Sequence, residues 1–332
     1  MSHEVAAAIL FPHMSSLGPV RIHYHRDFDG MVSAAVLAAA LRAKRGETPA
    51  WSSVNYDQRS NWESFSAHER FAIVDFHFHP RAEYWFDHHP TTFLTPELRA
   101  AYAPNERWQW DETSPSCPPL ILRHAERHWD YAIPDRFREM AEWSDVIDAA
   151  RYKSVDQAVF GDTPALRIAR ALTAAPSPDW TDELVGAMAD GDLDSVARRA
   201  DVEKSFQRAA RNRDKALQQF PPCVEWRRDR VLVYDASSNN IRRERFAPFY
   251  HYPDVHYAVG VIPTRSGFHV MAGENPWNPP PIAMHIGEMM ERFGGGGHKA
   301  VGGANPHDLQ EARRVAMILG EELRVALTQP RA

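Results

Sequence analysis

The stretch HYHRDFDGM, His23 to Met31, puts two histidines and two aspartates within seven residues. It follows directly on the short apolar entry Val20-Arg21-Ile22. Aspartates this close repel one another unless a positive charge sits between them. Behind them runs GMVSAAVLAAALRAKRG, small and apolar, which reads as a helix starting at Gly30 and stopping at Gly46. A strand that feeds an acidic loop and then a helix is either a solvated loop or half of a metal site.

Reading outward, the same rhythm repeats. AWSSVNY reads as a second strand, RFAIVDF (Arg70 to Phe76) as a third that stops at an aspartate, and EYWFDHH as a fourth that ends at Asp87. Alternating strand and helix signals predict a largely parallel sheet with helices on its faces. In such sheets ligands gather at the carboxyl ends of the strands, and three acidic clusters fall there. From about residue 119 to 185 the pattern is helical, including PLILRHAERHWD and PDRFREMAEWSDVIDAARY. Residues 191–222 read as a long charged connector helix stopped by Pro221 and Pro222. Strand signals return in RVLVYDAS, YAVGVIP and FHVMAGE, followed by a helix at about 281–292, a GGGG loop and a last amphipathic helix at about 307–326. The predicted organisation is an α/β metal-binding domain over 1–190, the connector over 191–222, and a smaller α/β substrate domain over 223–332.

Composition bounds the function. The chain has 332 residues, 44% hydrophobic and 25% charged, with a formal net charge of −6. That balance is a folded protein's, and the acidic sign argues against coating a long nucleic acid, though not against a short polyanion in a local pocket. No apolar run has bilayer-spanning length, and the first residues lack a basic region ahead of their apolar patch. Cys117 and Cys223 make neither a disulfide framework nor a thiolate site, so a cytoplasmic setting without membrane contact is expected.

Asp27 and Asp29, Asp75, then Asp87-His88-His89 close three consecutive predicted strands; Asp145 and Asp148 in EWSDVID are further acidic candidates. Carboxylates with imidazoles and no thiolates suit manganese, magnesium or iron better than structural zinc. Two such cations a few ångströms apart are an apparatus for in-line attack on phosphorus. If Val20 to His25 is extended, His23 and His25 point to one face. His77 and His79 in DFHFHP read as partly exposed loop histidines.

HRDFDG, the Asp of AIVDF, and DHH at 87–89 resemble motifs I to III of the DHH phosphoesterases. WSDVID resembles the fourth motif of the RecJ-like branch, with Asp145 at the matching position and Asp148 as runner-up. The C-terminal GGGGHKAVGGAN resembles the GGGH signature of the DHH-associated domain, so the resemblance covers nearly the whole chain. It implies one cation held by a motif I histidine, Asp27 and Asp75. It implies a second held by Asp29, Asp75, His88 and Asp145, with Asp75 bridging. His89 would face the phosphate, and Asp87 would orient a histidine. Branches differ on the motif I histidine: His23 is favoured as ligand, with His25 as ligand or catalytic phosphate contact.

In the C-terminal loop, Gly296 and Gly297 let the backbone approach a ligand and His298 and Lys299 follow at once. The resemblance assigns His298 to the substrate's phosphate, and Arg265 with Ser266 in PTRSGFHV to the same task. Trp277 in ENPWN is read either as a base-stacking platform or as a packed turn residue. The expected activity is that of a phosphoesterase using two divalent cations, manganese first and magnesium second. It would hydrolyse short oligonucleotides or linear dinucleotides to mononucleotides, as the family's nanoRNases do. The alternatives are a 3′-phosphoadenosine 5′-phosphate phosphatase or exopolyphosphatase, and a nucleotide sensor without turnover. A homodimer is left open.

Overall fold

The computed structural model describes residues 18–55, 62, 65, 69–174, 177–238, 241–264 and 267–328. Two compact units emerge, and neither is one continuous piece of chain. The first comprises residues 1–141 and 177–191, the second 142–176 and 192–332.

The first unit begins with β1 (Arg21–His25), α1 (Phe28–Arg45), β2 (Ala50–Val54), β3 (Phe71–Val74) and β4 (Tyr84–Asp87). It continues with α2 (Pro96–Ala101), β5 (Trp108–Trp110), α3 (Pro118–Trp129) and the start of α4 (Asp135–Asp148). The strands form one sheet in the order β2-β1-β3-β4-β5, every pair parallel. Parallel strands need covering on both faces, and β3 and β4 are buried at every position. Trp62, Phe71, Ile73, Phe78 and Trp85 pack as a core on the sheet. α1 carries an unbroken buried run from Phe28 to Leu41. The small side chains of AAVLAAAL allow this close packing. Three predicted strands match β2, β3 and β4; the three-residue aromatic edge strand β5 has no readable signal.

α1 starts two residues earlier than its glycine suggests. Asp27 is the N-cap, its carboxylate accepting from the Gly30 amide at 2.9 Å. Gly30 therefore lies inside the first turn, where a Cβ would meet the His25 carbonyl oxygen at 2.1 Å. The obstacle is backbone and cannot swing aside. Gly30→Ala is expected to lower stability by about 1–3 kcal/mol, as overpacking does. An unchanged denaturation midpoint would contradict this close approach.

The second unit takes α5 (Val155–Phe160) and α6 (Pro164–Leu172); α7 (Pro178–Asp190) returns to the first. There Tyr24 donates to Asp182 at 2.6 Å and Arg42 to Asp190 at 2.7 Å. The predicted single connector is two helices, α8 (Leu193–Ala197) and α9 (Ala200–Gln219). A capping box between Asp192 and Ser195 starts the short one, and Arg199, with extended ψ of 137°, breaks the run. A 3-10 turn at Pro221–Cys223 then stops α9's course.

After it come β6 (Val224–Arg228), β7 (Val231–Asp235), α10 (Ala247–His251), β8 (Tyr257–Pro263) and β9 (Phe268–Glu274). The chain ends with α11 (Ile286–Glu291), β10 (Gly296–Gly297), β11 (Val301–Ala304) and α12 (Leu309–Thr328). The sheet order is β10-β11-β9-β8-β7-β6, with β7 and β8 parallel and the other pairs antiparallel. Val315, Leu319 and Leu323 of α12 pack with Val233, Val259 and Val270 of that sheet. With α5, α6, α8 and α9 added, this unit extends beyond the 223–332 stretch. No helix among the described residues is long and apolar enough to cross a membrane.

Candidate metal centre

The strand order explains why separate motifs meet. β1, β3 and β4 are neighbours, with Tyr24 opposite Val74 and Val74 opposite Phe86. All three run the same way, so the residues just past their carboxyl ends emerge side by side. His25 closes β1, Asp75 follows β3, and Asp87 closes β4 ahead of His88 and His89.

Asp75 is the hub. It is 1% exposed and left-handed, with φ of +56°, a conformation that Asp tolerates better than most residues but that still stores strain. Its carboxylate is approached by imidazole nitrogens at long hydrogen-bond distance. Three imidazoles surround it: His25 Nδ1 at 3.7 Å, His88 Nε2 at 3.5 Å and His89 Nδ1 at 3.6 Å. Burial would push the Asp75 pKa up, but His25 and His88 against it overcome that and hold it well below the usual carboxylate range. An ionised carboxylate this deeply buried is costly unless positive charge compensates it. This donor set fits a divalent cation.

Within the first unit, two groups of described residues have ligand atoms all within 4.8 Å of one another: His25, Asp27 and Asp75; and Asp75, Asp87, His88 and His89. Asp75 belongs to both. His25 Nδ1 lies 2.8 Å from Asp27 Oδ2. Burial opposes the charged His25 ring, yet Asp27 and Asp75 raise its pKa well above the ordinary value. His88 follows the same pattern, burial working against Asp75 and Asp75 winning. Its Nδ1 meets the Ser114 carbonyl at 3.1 Å. That carbonyl needs a donor, so Nδ1 carries the proton and Nε2 is left to face Asp29 and Asp75, each at 3.5 Å.

Asp29 lies in the first turn of α1, 3% exposed, and accepts from the Cys117 amide at 2.9 Å. Asp87 is fully buried; its Oδ1 accepts from the His88 amide at 2.9 Å and pairs with His89 Nδ1 at 2.9 Å.

His23, favoured from motif spacing, stands elsewhere on the same strand face. Its Nε2 is 3.6 Å from Glu69, and its ring packs on Phe65 at 4.5 Å. Burial lowers its pKa to about 4, only partly opposed by Glu69. Among the described residues it is His25 that stands beside Asp27 and Asp75. Glu69 comes from a segment with no motif, so spacing gives no sign of it. His77 and His79 are buried at 5% and 3% exposure rather than partly exposed, the loop after Asp75 turning inward beside Trp62.

Asp145 and Asp148 lie on the last turns of α4, three apart and so on one side of the helix, in the second unit. In that unit Gly296 and Gly297 form β10, paired to Gly303 and Gly302. A Cβ on Gly297, whose φ is +147°, would meet the Val301 carbonyl at 2.4 Å, so this glycine serves the hairpin itself; Gly296 has no described atom within 4 Å. His298 and Lys299 are exposed, and their carbonyls accept from the Gly287 and Ile286 amides at the start of α11. Trp277 is half-buried; its indole donates to the Tyr152 carbonyl at 3.0 Å and its ring meets Phe246 edge-on. Packing accounts for it without a base. Arg265 and Ser266 lie outside the described residues.

No family model matches the chain, and no curated protein does. Solved structures do. A pGpG-specific phosphodiesterase, PggH from Vibrio cholerae, aligns at a TM-score of 0.66 and 19% identity, covering 92% of this chain and 99% of that one. RecJ from Thermus thermophilus, in complex with Mn2+, aligns at 0.57 and 17%, covering 96% and 53%. An exonuclease RecJ bound to manganese aligns at 0.55 and 15%, covering 96% and 92%. The fold is that of the DHH phosphoesterases. Within it, the β1, β3 and β4 ends carry His25, Asp75, Asp87, His88 and His89, part of the set that the DHH resemblance nominates.

Proposed function

We propose that the chain is a metal-dependent phosphodiesterase that hydrolyses short oligonucleotides or linear dinucleotides to mononucleotides. The observation that carries this reading is Asp75, a buried carboxylate ringed by three imidazoles at the meeting point of two potential ligand groups. His25, Asp27, Asp29, Asp75 and His88 are proposed as ligands of two divalent cations, manganese foremost. When bound, such cations acidify a water and neutralise charge developing on phosphorus. His89, braced by Asp87, is proposed to contact the phosphate and steady its oxygens. The exposed His298 and Lys299 are proposed as further phosphate contacts. A fold shared nearly end to end with a pGpG-specific enzyme favours a dinucleotide substrate, as does the net charge of −6, which disfavours a long strand.

Incubation of the purified protein with a labelled linear dinucleotide and manganese should release mononucleotides. Chelation should stop the reaction and added manganese restore it, with elemental analysis finding two metal ions per chain. A preparation that hydrolyses a phosphomonoester but releases no mononucleotide from the dinucleotide would overturn the diesterase reading.

A further inference from the structure

A second feature lies wholly inside the second unit. α6, α9 and the segment 241–246 between β7 and α10 enclose a cavity of about 540 Å³, a volume in the range of small-molecule sites. Five arginines line it: Arg170, Arg213, Arg242, Arg243 and Arg245. They come from three separate parts of the chain, so the convergence belongs to the fold and not to a basic run.

Carboxylates do not balance this charge. Glu244 is the one acidic residue in the lining, and it pairs with Arg170 at 3.4 Å. Both side chains of that pair are 11% exposed. Burial raises the Glu244 pKa, with Arg170 working against it. Arg170 also donates to the Ala158 carbonyl at 2.7 Å, while its buried Nε has no acceptor among the described residues. Arg213 turns to Asp214 at 2.7 Å, outside the lining. Arg243 meets only a weak acceptor among the described residues, the Met271 sulfur at 3.5 Å. Arg245 stacks over the Phe246 ring at 5.2 Å, and no ion pair engages it or Arg242 among the described residues. Arg242, Arg243 and Arg245 are exposed residues, which leaves the cavity open to a ligand.

Five guanidinium groups around one carboxylate repel each other. A tetrahedral anion with several oxygens relieves that repulsion and supplies the missing acceptors in the planar two-pronged geometry that arginine favours. We propose that this arginine cavity binds a phosphate group, carried either by a mononucleotide or by free pyrophosphate. This goes beyond the phosphodiesterase reading and does not need it.

The test is calorimetric titration of the full-length, metal-free protein in chelator with pyrophosphate and, separately, with 5′-GMP. Wild-type protein should bind at least one of them. Preference for pyrophosphate identifies a free inorganic ligand, and preference for 5′-GMP a nucleotide. Arg243→Ala/Arg245→Ala removes two guanidinium groups and should weaken binding by roughly ten-fold or more, with the unliganded melting temperature unchanged. If that double variant melts early, Arg242→Ala, also exposed, is the replacement and should weaken binding in the same direction. Absence of wild-type binding, or undiminished affinity in the arginine variants, would overturn the proposal. Failure of the phosphodiesterase reading would show in the dinucleotide assay and leave these titrations untouched.

Discussion

Asp75→Asn is expected to lose bound manganese and to hydrolyse a dinucleotide on the order of 10³-fold more slowly, equivalent to about 4 kcal/mol of lost transition-state stabilisation. The reason is position more than charge count. Asp75 alone belongs to both potential ligand groups, so its removal weakens both at once. Asparagine keeps the volume and tolerates the left-handed backbone that Asp75 adopts at φ of +56°, so the fold should survive. Elemental analysis is the primary readout.

A second readout is independent of turnover. In metal-free protein the Asp75 charge favours the protonated rings of His25 and His88. Its neutralisation should move both titrations to lower pH, the sign expected when a stabilising anion is taken from a cation. NMR titration of the imidazoles checks this. An Asp75→Asn protein that retains its metal, or whose histidines titrate unchanged, would remove Asp75 from the centre.

The legible parts of this molecule are those in which local chemistry and periodicity agree. β3 ends at Val74 because the β-branched run of RFAIVDF ends there, and Asp75 follows directly. The α1 pattern is equally plain, yet its start is misread from sequence, because the glycine resembles a beginning while Asp27 is the cap. What escapes reading depends on distant partners. His77 and His79 are buried because Trp62 and its neighbours cover them, which no spacing encodes. β5 has three residues, too few for a period, and is a strand because β4 pairs with it. The choice between His23 and His25 cannot follow from alternation, which puts both on one face; Glu69 and Phe65 beside His23 separate them. The arginine cavity is the extreme case, since residues 170, 213 and 242–245 share nothing along the chain. The compact units are hidden for the same reason: α7 packs with α1, so the chain returns to the first unit after leaving it.

His89→Ala should separate catalysis from metal binding. The two adjacent histidines differ in what fixes their rings. His88 commits Nδ1 to the Ser114 carbonyl and turns Nε2 toward Asp29 and Asp75. His89 commits Nδ1 to Asp87 at 2.9 Å, and its side chain is 24% exposed against 5% for His88. A ring held by a buried carboxylate and open to solvent is placed to meet a substrate, whereas a ring enclosed beside two aspartates is placed to meet a cation. His89→Ala should therefore keep its metal while turnover falls by about 10²–10³-fold, the range for loss of one donor that steadies charge developing in the transition state. His88→Ala should lose metal and activity together. Because His89 shares a potential ligand group with Asp75, Asp87 and His88, the opposite result is physically open. Equal metal loss in both variants would make His89 a ligand and transfer the phosphate contact to another residue.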